Sequence, residues 1–326
     1  MNLNLNLKIL VTGAAGFIGY HISKRLCEEG YDVTGIDNIN SYYDIRLKES
    51  RLEILSKYEN FKFDKIDLAD KAQLMEYFKN ERPELVINLA AQPGVRYSIS
   101  HPDESIRNNI NAFFNLLECC REYPVKKLIY ASSSSVYGNT DKIPFSVDDN
   151  VDNPVSLYAA TKKTNELMAY TYHHLYDIPV TGLRFFTVYG PYGRPDMAYF
   201  SFSEKIMKDI PIDIFNKGDM MRDFTYVDDV TESVYRLVKK EIVNEYRIFN
   251  IGGEHPVNLL YFVETLEKNL DKEARKVYKE MQPGDVKITV ADSSDLAEYI
   301  GYKPETKIED GLERFVKWFR KYYNYN

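Results

Sequence analysis

The chain has 326 residues, 44% of them hydrophobic and 28% charged, and its 42 basic and 49 acidic side chains leave a net charge of −7. Those values exclude a disordered tail, a fibrous repeat and a disulfide-stapled miniprotein, and the mild acidity argues against general nucleic-acid binding. The length points to about two domains, or to one large α/β unit with an appendage. Along the chain, Met1–Lys8 alternates Asn with Leu and offers neither a basic n-region nor a long apolar run, so no secretory signal is expected. Lys8–Thr12 (KILVT) is a short apolar strand ended by Gly13, and Ile18, Ile22 and Leu26 follow at helical spacing as far as Gly30. Asp32–Ile36 reads as a second strand closed by Asp37. A helix near Asp44–Ser56 and a strand at Phe61–Ile66 come next. Then come Leu85–Leu89, a helix around Ser105–Cys120 and the strand Lys127–Ala131. This alternation predicts an α/β fold: a doubly wound parallel sheet of the Rossmann type, with helices on both faces.

After about Thr187 the rhythm breaks, and Gly, Pro and aromatic residues crowd Tyr189–Arg194. A second, smaller α/β substrate domain is expected from 188–224 and 255–326. Residues 1–187, with a return segment at about 225–254 that includes the strand Tyr246–Ile251, would form the first domain. Ile308–Tyr323 is predicted as an amphipathic helix with Leu312, Phe315 and Phe319 on one face. No apolar run approaches the ~18 residues of a membrane span. Cys27, Cys119 and Cys120 form no CxxC motif and the five histidines have no metal spacing, which suits a cytoplasmic protein with reduced, structural thiols and no metal.

Three segments carry chemistry. Thr12-Gly13-Ala14-Ala15-Gly16-Phe17-Ile18-Gly19 lies between a strand and a helix, where glycines let backbone N–H groups and the helix N-terminus face a pyrophosphate. Asp37, with Asn38 after it, closes the second strand. A carboxylate there accepts from both ribose hydroxyls and repels a 2′-phosphate, so NAD is expected over NADP. The bland reading of Asp37-Asn38 is a turn that satisfies its own backbone. Farther on, Ser156 is a predicted helix N-cap, and Tyr158 and Lys162 lie one turn apart on one helical face. A phenol with its usual pKa near ~10 is a poor base at neutral pH, but a neighbouring ammonium favours the phenolate. Tyr130–Gly138 (YASSSSVYG) ends a parallel strand in four serines, a hydroxyl-rich lining where such sheets bind ligands.

Together TGAAGFIG, SSSSVYG, YAATK and RDFTYVDD resemble the extended short-chain dehydrogenase/reductase family. More narrowly, DNINSYYDIRLKESRL, NLAAQPGVRYS, LYAATKKTNELM and GLRFFTVYGPYGRPDMA are similar to its UDP-glucuronate 4-epimerase branch. The resemblance implies that Gly13, Gly16 and Gly19, with Phe17 and Ile18 between them, bind the NAD pyrophosphate. It assigns Asp37 and Asn38 to the adenosine ribose and Asp67 and Leu68 to the flanks of adenine. Tyr158 would be the base, Lys162 would hold the nicotinamide ribose and tune Tyr158, and Ser133, five residues before Gly138, would bond the substrate O4. Arg222 would bind the diphosphate, Phe215 would pack on uracil, and Asp285 would hold the uridine ribose.

Relatives that eliminate or decarboxylate carry, by the same resemblance, a Glu three residues before that glycine, and some add an Asp just before the Glu. Here those positions are Ser135 and Ser134. Elimination needs a general acid that serine does not readily supply. What remains is oxidation at C4, rotation of a 4-keto sugar and re-reduction from the opposite face. Ser134, Ser135 and Thr187 offer neutral donors to a hexuronate carboxylate, and Arg96 and Arg194 would add positive charge unless they serve loop salt bridges. Two alternatives stay open: a 4-epimerase of a neutral or N-acetylated UDP-hexose, and a non-catalytic NAD-binding sensor or scaffold. Apolar residues on several faces of the helices at 105–120 and 156–176, together with the resemblance, imply a homodimer.

Overall fold

A computed structural model describes residues 7–281 and 286–325 of the chain. In chain order the first elements are β1 (Lys8–Thr12), α1 (Phe17–Glu28), β2 (Asp32–Asp37), α2 (Ile45–Leu55), β3 (Phe61–Lys65), α3 (Lys71–Glu81) and β4 (Leu85–Asn88). Then follow α4 (Val95–Ser100), α5 (Pro102–Ile106), a π turn (Arg107–Asn111), α6 (Ala112–Glu122), β5 (Lys127–Ser133), a 3₁₀ turn (Ser134–Tyr137), α7 (Leu157–Tyr176) and β6 (Val180–Phe185). The remainder runs β7 (Thr187–Tyr189), α8 (Ala198–Met207), β8 (Ile212–Phe215), β9 (Met221–Tyr226), α9 (Val227–Lys239), β10 (Tyr246–Ile251), β11 (Pro256–Asn258), α10 (Leu259–Leu270), β12 (Lys276–Lys279), α11 (Ser294–Ile300) and α12 (Ile308–Tyr323).

The main sheet has the order β10-β6-β5-β4-β1-β2-β3, and β1 to β6 pair in parallel. β4 and β6 are buried at every position, as strands covered on both faces must be. On one face Leu74 and Phe78 of α3, Phe113, Leu116 and Cys120 of α6 and Ala169 of α7 pack against Leu10, Val86, Leu128 and Tyr130. Strand order reverses between β1 and β4, and in such sheets that crevice beyond the carboxyl ends takes the ligand. Thr12 ties the point together: its hydroxyl donates to Asn88 Oδ1 (2.6 Å) and accepts from the N–H groups of Leu89 and Ala90.

The helix expected around Ser105–Cys120 is interrupted. Its first turns, α5, pass through the π turn at Arg107–Asn111 before α6 resumes. The extra residue aims Asn109 inward, where its amide accepts from Gln92 N–H and donates to Gln92 O and Thr161 Oγ1. All three cysteines are buried and free, and burial pushes the thiols of Cys27 and Cys119 up to about 12. Among the described residues no helix is long and apolar enough to cross a membrane, and no cluster of His, Cys, Asp and Glu could hold a metal.

The chain divides into two compact units: residues 1–140, 147–185 and 234–249, and residues 141–146, 186–233 and 250–326. The second therefore takes segments 141–146, 186–187, 225–233 and 250–254, which the change of rhythm assigns to the first. Hydrogen bonds explain it. Phe145 pairs with Ala291, and its carbonyl accepts from Asn250 Nδ2. Asp229 accepts from the Tyr302 hydroxyl and Thr306 N–H. Asp223, fully buried, accepts from Gly253, Glu254 and Ala291 N–H. This unit holds the sheet β11-β9-β7 and the pair β12-β8. α12 buries Leu312, Phe315, Val316 and Phe319, with Phe315 edge-on to Tyr199.

Candidate active site

The glycine loop at the end of β1 is shaped by what cannot fit in it. Gly13 has φ +71°, and a Cβ there would meet Ala90 N at 2.8 Å. A Cβ on Gly19 would sit 2.1 Å from Gly13 O, and one on Gly16 2.9 Å from the same atom. The loop is therefore a backbone surface. Behind it α1 starts with no side-chain cap and no acidic residue in its first turn, which leaves its leading N–H groups for an anion. Phe17 is buried and Ile18 half-buried there. Arg51, fully buried, steadies the loop from α2 through bonds to Ala15 O and the Tyr43 hydroxyl (both 2.7 Å).

Asp37 is buried at the end of β2. Its Oδ1 accepts from Ile39 N–H at 2.8 Å and lies 3.8 Å from Lys48 Nζ. The turn reading is thus realised by one oxygen, and among the described residues nothing hydrogen-bonds Oδ2. Asn38 accepts from Asn40 N–H. Burial lowers the pKa of Lys48, an effect that Asp37 opposes. Asp67 gives one oxygen to Ala69 N–H and the other to Arg107 (2.7 Å), and buried Leu68 presents its carbonyl to Asn115. Bare loop, uncapped helix and unused carboxylate oxygen fit a dinucleotide with a free 2′-hydroxyl.

The second cluster surrounds α7. Ser156 caps it, accepting from Ala159 N–H, an arrangement worth about 1 kcal/mol. Tyr158, partly exposed, is anchored at its own N–H by Ser98 Oγ. Lys162 is buried; its Nζ donates to Ala131 O at 2.8 Å and lies 6.0 Å from the centroid of the Tyr158 ring. Burial pushes the Lys162 ammonium down to about 8. Ser133 ends β5 and caps the serine turn: its Oγ accepts from Ser135 N–H and donates to Ser135 Oγ. Ser134 and Ser135 are half-exposed within the turn, and α7 packs against both turn and strand. A cation-backed phenol and a row of hydroxyls with no carboxylate in the turn suit removal and return of a hydroxyl proton, not expulsion of a leaving group.

Arg96 is exposed on α4. Thr187, Arg194, Phe215 and Arg222 belong to the second unit. Arg194 holds Asp196 in a two-pronged ion pair, as the salt-bridge reading has it. Arg222 reaches Met221 O and Lys287 O, and Phe215 ends β8. Asp285 lies outside the described residues. Motif reading passed over Asn109, Ser98, Glu166 and Arg184. Only Glu166 left a signal, a carboxylate one turn beyond Lys162 on the same inward face.

Known proteins are similar to this chain over most of its length. The profile of the NAD dependent epimerase/dehydratase family matches residues 9–252. Protein CapI of Staphylococcus aureus is 54% identical over 97% of this chain and 99% of its own. UDP-glucuronate 4-epimerase 1 of Arabidopsis thaliana is 45% identical over 98% of this chain and 78% of its own. The crystal structure of the Bacillus cereus UDP-glucuronic acid 4-epimerase with UDP-glucuronic acid and NAD matches with a TM-score of 0.91 and 36% identity, over 97% of this chain and all of that one.

Proposed function

The chain belongs to the NAD dependent epimerase/dehydratase family, and from that premise we propose that it is a UDP-glucuronate 4-epimerase, interconverting UDP-glucuronate and UDP-galacturonate. The observation that carries the reading is the pairing of Tyr158 with buried Lys162 beside a turn that carries serine hydroxyls and no carboxylate. The fold supports it: the glycine loop, the α1 N-terminus and Asp37 would hold NAD at the switch point of the sheet. Bound there, NAD supplies the hydride acceptor and donor that no side chain provides.

The rest falls to the chain's own residues. Tyr158 takes the proton from the C4 hydroxyl, and the Lys162 ammonium favours its phenolate. Ser133 bonds O4 and steadies the oxygen as it becomes a carbonyl. After the sugar ring turns about its bond to the diphosphate, the opposite face of C4 is presented for re-reduction, and Tyr158 returns the proton to O4. Ser134 and Ser135 donate to the hexuronate carboxylate and hold a β-keto acid in an orientation that discourages loss of CO₂. Arg222 and Phe215 take the diphosphate and uracil, and Arg96 adds positive charge, while the charge of Arg194 is met by Asp196.

Two copies are proposed to pair through α5, α6 and α7, where Ile106, Phe114, Leu167 and Tyr170 stand exposed. Buried free thiols suit a cytoplasmic setting. The test is incubation of the purified protein with UDP-glucuronate or UDP-glucose, without added NAD, followed by NMR. UDP-galacturonate from the first, with UDP-glucose turned over far more slowly, is expected. Faster turnover of UDP-glucose, or a pentose product with release of CO₂, overturns the reading.

A further inference from the structure

Behind the serine turn lies a buried ion pair for which the reaction above has no use. Glu166 of α7 and Arg184 of β6 have side chains 2% and 3% exposed, so neither can touch substrate or cofactor. The guanidinium grips the carboxylate with both prongs, Nε to Oε1 at 2.9 Å and Nη2 to Oε2 at 3.0 Å. Burial opposes the charge on Arg184, but the bonds and charge of Glu166 outweigh it and raise its pKa. As packing, such a pair is expensive: apolar residues of similar size commonly stabilise a core as well or better. Its value lies in what it holds.

Each partner reaches one end of the segment that carries Ser133. Glu166 Oε1 accepts from Ser132 Oγ at 2.7 Å, one residue before Ser133. Arg184 stands opposite Ser132 in the β5–β6 register. Its Nη1 donates to the Tyr137 hydroxyl at 3.0 Å, and the guanidinium lies 4.9 Å from the Tyr137 ring, at the far end of the serine turn. Nη1 also reaches Val147 O, and Glu166 O accepts from the Tyr246 hydroxyl. One turn back on α7, Lys162 bonds Ala131 O. The helix that bears Tyr158 thus grips two successive residues of β5, and through Arg184 it grips the exit of the turn as well.

The geometry points to Glu166 and Arg184 as positioning residues that set the distance between Ser133 and Tyr158 by fixing both ends of the serine turn to α7. The inference rests on the epimerase reading, because that reaction needs a hydroxyl and a phenol converging on one oxygen. Displacement of a reacting group by about 1 Å costs on the order of 100-fold in rate.

The test uses the paired variant Glu166→Leu/Arg184→Met, which removes both charges and leaves none unpaired, together with Ser132→Ala and Ser132→Thr. Thermal melting, co-purified NAD, and kcat and KM on UDP-glucuronate are measured for each. The paired variant is expected to melt close to the wild type and keep its NAD, while kcat falls about 100-fold and KM stays within about threefold. Ser132→Thr, which keeps the hydroxyl, should retain most of kcat, and Ser132→Ala should lose about tenfold. Wild-type kcat in the paired variant, or in Ser132→Ala if the paired variant does not fold, would overturn the positioning role. A kcat loss no larger than the lost fraction of folded, NAD-loaded protein would overturn it too. A wild type that epimerises no UDP-sugar would instead sink the reading of the reaction.

Discussion

The glycine loop and the serine turn both lie at carboxyl ends of parallel strands, yet they are held in opposite ways. The loop is defined by absent atoms: a Cβ on Gly16 or on Gly19 would run into the carbonyl of Gly13. The turn is defined by present ones: Ser133, Ser132, Lys162, Glu166 and Arg184 fix it through side-chain bonds. The grip on the cofactor should therefore fail when a methyl is added, and the chemistry should fail when a single polar atom is removed. This difference lets the two functions be broken one at a time.

The largest expected effect is in the second region. Tyr158→Phe removes one oxygen and should cut kcat about 1,000-fold while the purified protein keeps its NAD, read from absorbance after denaturation. Loss of NAD in that variant would show that the two regions are not separable. Next, Gly19→Ala puts a carbon 2.1 Å from Gly13 O. It should strip NAD from the protein and lower the melting temperature by several degrees, as strain of about 1–3 kcal/mol implies, and full NAD occupancy would refute the steric account of the loop.

Charge next to the turn gives a smaller, pH-dependent effect. Lys162 is depressed from 10.5 to about 8 by burial alone. The unfolded chain holds that proton to higher pH than the folded one. In protein stripped of cofactor, stability relative to Lys162→Met should therefore rise with pH between about 8 and 10.5, by up to about 1.4 kcal/mol per unit. Over the same range the ammonium is lost and its help to the Tyr158 phenolate fades. Denaturant titrations across that range check the sign, and a falling difference would contradict it. Smallest of all, Ser134→Ala with Ser135→Ala should raise KM for UDP-glucuronate about tenfold and release some decarboxylated product, detectable by NMR. No such product would remove the carboxylate role of the serines.

The two regions were also unequally legible in sequence. Glycines between strand and helix, Asp37 at a strand end, the Ser156 cap and the Tyr158–Lys162 spacing are all local, so a linear pattern exposes them. The 12-residue helix α1 and the 16-residue helix α12 announce themselves by period. The Glu166–Arg184 pair joins residues on a helix and a strand, and only register brings Arg184 opposite Ser132. The π turn at Arg107–Asn111 leaves the apolar pattern of its helix nearly intact, so a continuous helix was the natural expectation. Segment 141–146 joins the second unit through backbone bonds from Phe145 to Val290 and Asp292 that no local pattern encodes.

The most direct measurement follows the hydrogen on C4. UDP-glucuronate carrying deuterium at C4 is incubated with the purified protein in ordinary water, and the UDP-galacturonate formed is examined by NMR and mass spectrometry. Removal and return of that hydrogen within one closed site predicts full retention of the label at C4 of the product. Washout of the label into water, or its transfer to NAD added in solution, would contradict it.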